Sequence, residues 1–126
     1  MTDAAKKVLI AEDEKPLSKA LSLKLTRSGF TVEVVGDGQQ AIEKIQETSF
    51  DLLVLDLVMP RMDGFAVLEK LRELGQKPKI IVLSNLSQEE DAQRAKSLGA
   101  DEYFIKSNTA LADIVQHIKR LLGHDV

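Results

Sequence analysis

The sequence predicts a single α/β domain, a doubly wound, five-stranded parallel sheet with helices on both faces. Three observations predict it. Five short apolar runs alternate with five helix patterns along the chain, and strict alternation of strand and helix builds parallel strands joined by right-handed crossovers. The runs are aliphatic at consecutive positions, as in strands covered on both sides. The 126 residues suffice for one core and leave no material for a second.

The first run, residues 8–11, leads into a helix marked by Leu17, Leu21 and Leu25 and closed by Gly29. The second, residues 31–35, carries Glu33 and so belongs near a sheet edge. The third, residues 52–55, and the fourth, residues 80–83, are wholly aliphatic and belong in the centre with the first. Between them Val67, Leu71 and Leu74 repeat at helical spacing after Gly64, with Gly75 placed for a left-handed cap. Ser87 followed by Glu90 reads as a capping box opening the fourth helix, which ends at Gly99. That helix has only Ala92, Ala95 and Leu98 for an apolar stripe, so it is weakly held. The fifth run is residues 103–105, and Leu111, Ile114, Val115, Ile118, Leu121 and Leu122 share one face of the last helix.

Composition narrows the function classes. There are no cysteines, so disulfides, thiolate metal sites and thiol nucleophiles are excluded. The net charge is -3 without a basic block, which argues against nucleic-acid binding by this domain alone. No apolar stretch is long enough to span a bilayer and the N-terminus does not read as a signal peptide, so the expectation is a cytoplasmic protein without membrane contact.

In a doubly wound sheet ligands bind beyond the carboxyl ends of the strands. Those ends carry Glu12-Asp13-Glu14, Asp56, Ser84-Asn85 and Lys106. Singly, each has an ordinary explanation as a cap or turn residue. Asp56, however, lies between Leu55 and Leu57, and a carboxylate set among core residues needs a partner. Two carboxylates about 4 Å apart repel by about 4 kcal/mol at an effective dielectric near 20. If Glu12, Asp13 and Asp56 converge, a hard divalent cation relieves that repulsion, and magnesium is suited to one or two carboxylates plus a phosphate oxygen. Lys106 adds a compact positive charge. A carboxylate so placed can act as a nucleophile toward phosphorus, with metal, Lys106 and the Ser84 hydroxyl facing the phosphoryl oxygens.

These residues, in this order, resemble the receiver domain of two-component response regulators, the CheY-like family, across residues 7–122. The motifs are Glu12-Asp13, Asp56 followed by Pro60 and Gly64, and then Ser84, Tyr103 and Lys106. The resemblance implies a flavodoxin-like sheet of order 2-1-3-4-5, with residues 1–126 as one receiver domain and no output domain. It implies Asp56 as phosphoacceptor, and Mg2+ held by Asp13, by Glu12 through water, by Asp56 and by the Val58 carbonyl. Lys106 would pair with the phosphoryl group, Ser84 would swing inward to bond it, and Tyr103 would follow into the vacated space. The implied partners are a sensor histidine kinase or histidine phosphotransfer protein, and a downstream protein on the face formed by the fourth helix, fifth strand and fifth helix.

Three positions depart from the family pattern. Ser107 replaces the usual proline after the lysine, so a trans bond is expected there, because a non-proline cis bond costs about 2.5–4 kcal/mol. Asn85 replaces a small residue, and Val58 is apolar at a position that tunes dephosphorylation; both are candidate modulators. Three other readings compete. A magnesium-dependent aspartyl-phosphate phosphatase would need a second aspartate where Val58 stands. A flavin carrier would need an anion-binding loop where three acids stand. A pseudo-receiver would keep the fold as an interaction module without the chemistry.

Overall fold

A computed structural model describes residues 5–76 and 78–123. Residues 1–4 of the polar N-terminal stretch and the last three, 124–126, lie outside the described residues. The elements run β1 (Lys7–Ala11), α1 (Lys15–Arg27), β2 (Thr31–Val35), α2 (Gly38–Glu47), β3 (Leu52–Leu55), α3 (Gly64–Leu74), β4 (Lys79–Ser84), α4 (Glu89–Ser97), β5 (Glu102–Ile105), a short 3-10 turn (Lys106–Asn108) and α5 (Leu111–Leu121). All strand pairs are parallel, in the order β2-β1-β3-β4-β5. This is the CheY-like, flavodoxin-like arrangement. The Glu33-bearing run is an edge strand, and the three aliphatic runs are central.

Alternation within each strand sorts the core into two layers. Leu9, Ala11, Leu53 and Leu55 face the helices α2 and α3, packing with Ile42, Ile45, Val67 and Leu71. Val8, Ile10, Leu52 and Val54 face α1 and α5, packing with Leu21, Leu25, Ile114 and Ile118. Each fully buried Leu or Ile contributes about 1.5–3 kcal/mol relative to exposure. β5 is the other edge, and every residue in it is half-buried.

Gly29, Gly75 and Gly99 follow α1, α3 and α4 with positive φ, as their sequence positions predict. The capping box does not form. α4 starts at Glu89 with Gln88 as its N-cap and no side-chain cap hydrogen bond. In its place, Glu89, Glu90 and Asp91 put three acids in the first turn, where the helix dipole favours negative charge. Only Ala95 of α4 is buried. Leu98, just past the helix, packs on the core, and two arginines add contacts to α3. Arg94 lies 4.2 Å over the Phe65 ring and 3.6 Å from Glu69, and Arg72 donates to the Ser97 carbonyl at 3.4 Å.

Candidate phosphoryl-transfer site

Strand register builds the site. Ala11 is opposite Leu55 in the β1–β3 pair, and the Asp56 N–H donates to the Ala11 carbonyl at 3.0 Å. The next residues, Glu12 and Asp56, therefore emerge side by side. Ser84 pairs with Ile105 across β4–β5, so Lys106 follows immediately beyond the same edge. Glu12 and Asp56 are each 4% exposed and Ser84 is fully buried, while Asp13 lies on the exposed side.

Lys106 is the hub of this cluster. Its Nζ lies 2.7 Å from Glu12 Oε1, 3.1 Å from Asp56 Oδ2 and 3.3 Å from Glu14 Oε2. Glu12 also accepts from the Glu14 N–H at 2.9 Å, and Asp56 Oδ1 from the Val58 N–H at 3.2 Å. Burial pushes the Glu12 carboxyl up to about 7; the hydrogen bonds from Lys106 and the Glu14 amide oppose this, and the Asp56 charge adds to it. Burial also acts to lower the Lys106 ammonium, but its bond to Glu12 and the Asp56 charge outweigh this and raise it.

One carboxylate oxygen each from Glu12, Asp13 and Asp56 lies within 4.8 Å of the others. Converging carboxylates of this kind would hold a hard divalent cation, with water completing its shell. The donor set is all hard oxygen, as that ion requires. Glu12, Asp56 and Glu14 share one lysine and Asp13 stands beside them, so negative charge is left over for a cation to neutralise.

The segment after Asp56 is held by close backbone approach. The Gly64 N–H donates to the Leu57 carbonyl at 2.9 Å. A Cβ on Gly64 would stand 2.5 Å from the Asp56 carbonyl oxygen and 2.7 Å from Leu57 Cα, so glycine is required where α3 meets the loop. Asp63 caps α3 by accepting from the Ala66 N–H at 2.9 Å. Val58 and Asn85 are both exposed. No cis bond occurs among the described residues, so Lys106–Ser107 is trans as expected.

Tyr103 is half-buried, and its hydroxyl donates to the Leu86 carbonyl at 2.7 Å. Burial first, and then the charge of Asp91, raise its phenol above the ordinary range. The structure thus gathers Glu12, Asp13, Asp56 and Lys106 in one cluster and links Ser84 to Tyr103 through Leu86. Sequence reasoning assigned Glu14 no role, and it missed the pairing of Arg61 with Asp37 at 3.0 Å. Glu14 had a signal in the run of three acids. The Arg61 pairing had none, because it depends on how the loop folds back.

Known proteins share this fold and sequence pattern. The family model described as "Response regulator receiver domain" matches residues 8–119, and the chain belongs to that family. The transcriptional regulatory protein DltR of Streptococcus agalactiae is 36% identical over 100 residues, covering 79% of this chain and 45% of the regulator. The chain thus spans less than half of that relative's length. The receiver domain of Francisella response regulator 1452 superposes with TM-score 0.88 at 28% identity, covering 94% of this chain and 97% of that one. A CheY-like receiver domain protein from Methanospirillum hungatei gives TM-score 0.88 at 27% identity, covering 95% of each chain. Receiver domains are signalling modules of two-component systems. No helix among the described residues is long and apolar enough to cross a membrane.

Proposed function

We propose that Asp56 is the phosphoacceptor of this receiver domain. It takes a phosphoryl group from a histidine of a sensor kinase or phosphotransfer protein, or from a small phosphodonor. The observation that carries this reading is the buried Asp56 carboxylate with Lys106 Nζ at 3.1 Å, inside a cluster of carboxylates within 4.8 Å of one another. A carboxylate oxygen of Asp56 attacks phosphorus, the bond from phosphorus to the donor's imidazole nitrogen breaks, and that nitrogen keeps the electron pair. Attack of water on phosphorus later returns the free carboxylate and inorganic phosphate.

Glu12, Asp13, Asp56 and the Val58 carbonyl would hold Mg2+, whose charge neutralises phosphoryl oxygens. Lys106 exchanges its contact with Asp56 for a phosphoryl oxygen. Ser84 turns its hydroxyl from the Leu86 N–H to donate to another, and Tyr103 follows the Leu86 segment. The face of α4, β5 and α5 changes with it and is read by a downstream protein. Val58 and Asn85, both exposed, modulate how long the phosphoryl group survives. Val58 stands where a phosphatase would place a second aspartate, so the domain assists only its own phosphorylation and dephosphorylation.

With acetyl phosphate and Mg2+, the intact mass is expected to rise by one phosphoryl group, and the Asp56→Asn variant is expected to stay unmodified. An unmodified wild type contradicts the proposal and leaves a protein-interaction module.

A further inference from the structure

Between Asp56 and α3 the chain makes a turn that L residues avoid. Arg61 has φ +68, and among the described residues no other non-glycine has a positive φ. The Met62 N–H donates back to the Pro60 carbonyl at 2.8 Å, which closes a three-residue γ-turn on Arg61. The positive-φ form of that turn is the rare, strained one. Something outside the loop must hold it.

Asp37 is placed to do so. Its carboxylate is buried, with 7% side-chain exposure. One oxygen accepts from the Gln40 N–H at 2.8 Å, capping α2, and the other accepts from Arg61 Nε at 3.0 Å. A buried carboxylate requires partners, and Arg61 supplies the charged one. The neighbouring Gly38 lets the loop come close, since a Cβ there would collide with the Met62 carbonyl and the Val67 side chain. The α2 N-terminus is thus a cradle for the turn, and Arg61 is tied into it. Upstream, the same loop contains Val58, whose N–H is bonded to Asp56 Oδ1 at 3.2 Å.

We propose that Asp37 is a positioning residue for phosphorylation. Acting through Arg61, it holds the turn at residues 60–62 and so fixes the approach of Val58 and Asp56 to a divalent cation. This rests on the phosphoacceptor reading above. Asp37→Asn keeps an oxygen for the Gln40 N–H but removes the charge opposite Arg61. Arg61→Gly removes the steric reason the turn needs holding.

Mn2+ binding to the unphosphorylated protein, followed by electron paramagnetic resonance of the free ion, is expected to weaken about fivefold in Asp37→Asn, the factor equivalent to about 1 kcal/mol. Arg61→Gly in the Asp37→Asn background is expected to restore most of it. Amide exchange at Met62 should speed up in the single variant and slow again in the double one. Should Asp37→Asn not fold, Arg61→Gln breaks the same tie with the α2 cap intact and should weaken Mn2+ similarly. Wild-type affinity together with wild-type Met62 exchange in Asp37→Asn overturns the proposal, as does a double variant no better than the single. A wild-type protein that leaves Mn2+ free contradicts the phosphoacceptor reading instead, while Met62 exchange still decides whether Asp37 holds the turn.

Discussion

Ser84 and Tyr103 grip the same residue from two sides. The Ser84 hydroxyl oxygen accepts from the Leu86 N–H at 3.3 Å, and the Tyr103 hydroxyl donates to the Leu86 carbonyl at 2.7 Å. One residue of the β4–α4 loop therefore joins the buried end of β4 to the half-buried edge strand β5. On the proposed reading, a shift of Ser84 toward the acid cluster would be transmitted to Tyr103 through that residue. Tyr103 is the single tyrosine in a chain without tryptophan, so its ionisation can be read directly by ultraviolet absorbance. Its phenolate should form above the ordinary value near 10, because burial and the Asp91 charge oppose it. An acid raised on folding contributes stability that is lost as pH rises, so the bond to Leu86 should fail only in strong alkali. Tyr103→Phe should lower stability by about 1 kcal/mol, the net worth of a hydrogen bond, measured by urea unfolding.

Glu12 makes stability depend on pH in the opposite sense from an ordinary ion-paired acid. Its carboxyl is raised from 4.5 to about 7 on folding, first by burial. The folded state then holds a proton that the unfolded chain has released. The contribution of Glu12 to stability is fully present below 4.5 and is lost as pH rises through about 7, by up to about 3 kcal/mol. In chelator, the wild type should unfold at lower urea at pH 8 than at pH 5, and Glu12→Gln should lack this component. Added Mg2+ should recover stability at pH 8 in the wild type. Parallel pH profiles for the two proteins would show that Glu12 is not the group responsible.

Gly64 is expected to admit no side chain. Gly64→Ala places a methyl 2.5 Å from the Asp56 carbonyl oxygen, with backbone rather than flexible side chain in the way. The loop must move, at a cost of about 2 kcal/mol or more. Urea unfolding measures the cost, and acetyl phosphate labelling should fall with it. A variant as stable and as reactive as wild type would mean that α3 can retreat freely.

Arg94 holds α4 to α3 where apolar burial is scarce. Removing it in Arg94→Ala deletes a contact worth about 0.5–1 kcal/mol at an exposed site. Hydrogen exchange should rise several-fold across residues 89–97 and remain unchanged in β1 and β3. Uniform exchange across the protein would place the restraint on α4 elsewhere.

The strands were legible because central parallel strands are aliphatic on both faces; residues 52–55 show this without ambiguity. Lys106 was legible as a charge at a strand end, but its three carboxylate contacts depend on register, which pairs Ala11 with Leu55 and Ser84 with Ile105. Nothing local encodes that register. Ser87 and Glu90 showed a capping pattern, yet the helix starts later, with acids in its first turn serving the dipole instead. Arg61 was illegible for a related reason. Its positive φ is imposed by the packing of the loop on Asp37 and Gly38, residues far away in sequence.

Phosphorylation of this domain would be covalent, with a phosphoryl group bound to the carboxylate of residue 56. Borohydride reduction of the acetyl phosphate-treated protein, followed by peptide mass spectrometry, reads this directly, because an acyl phosphate is reduced to the alcohol. Homoserine is expected in place of aspartate at position 56, dependent on Mg2+. Homoserine at another position, or at none, would contradict the phosphoacceptor reading.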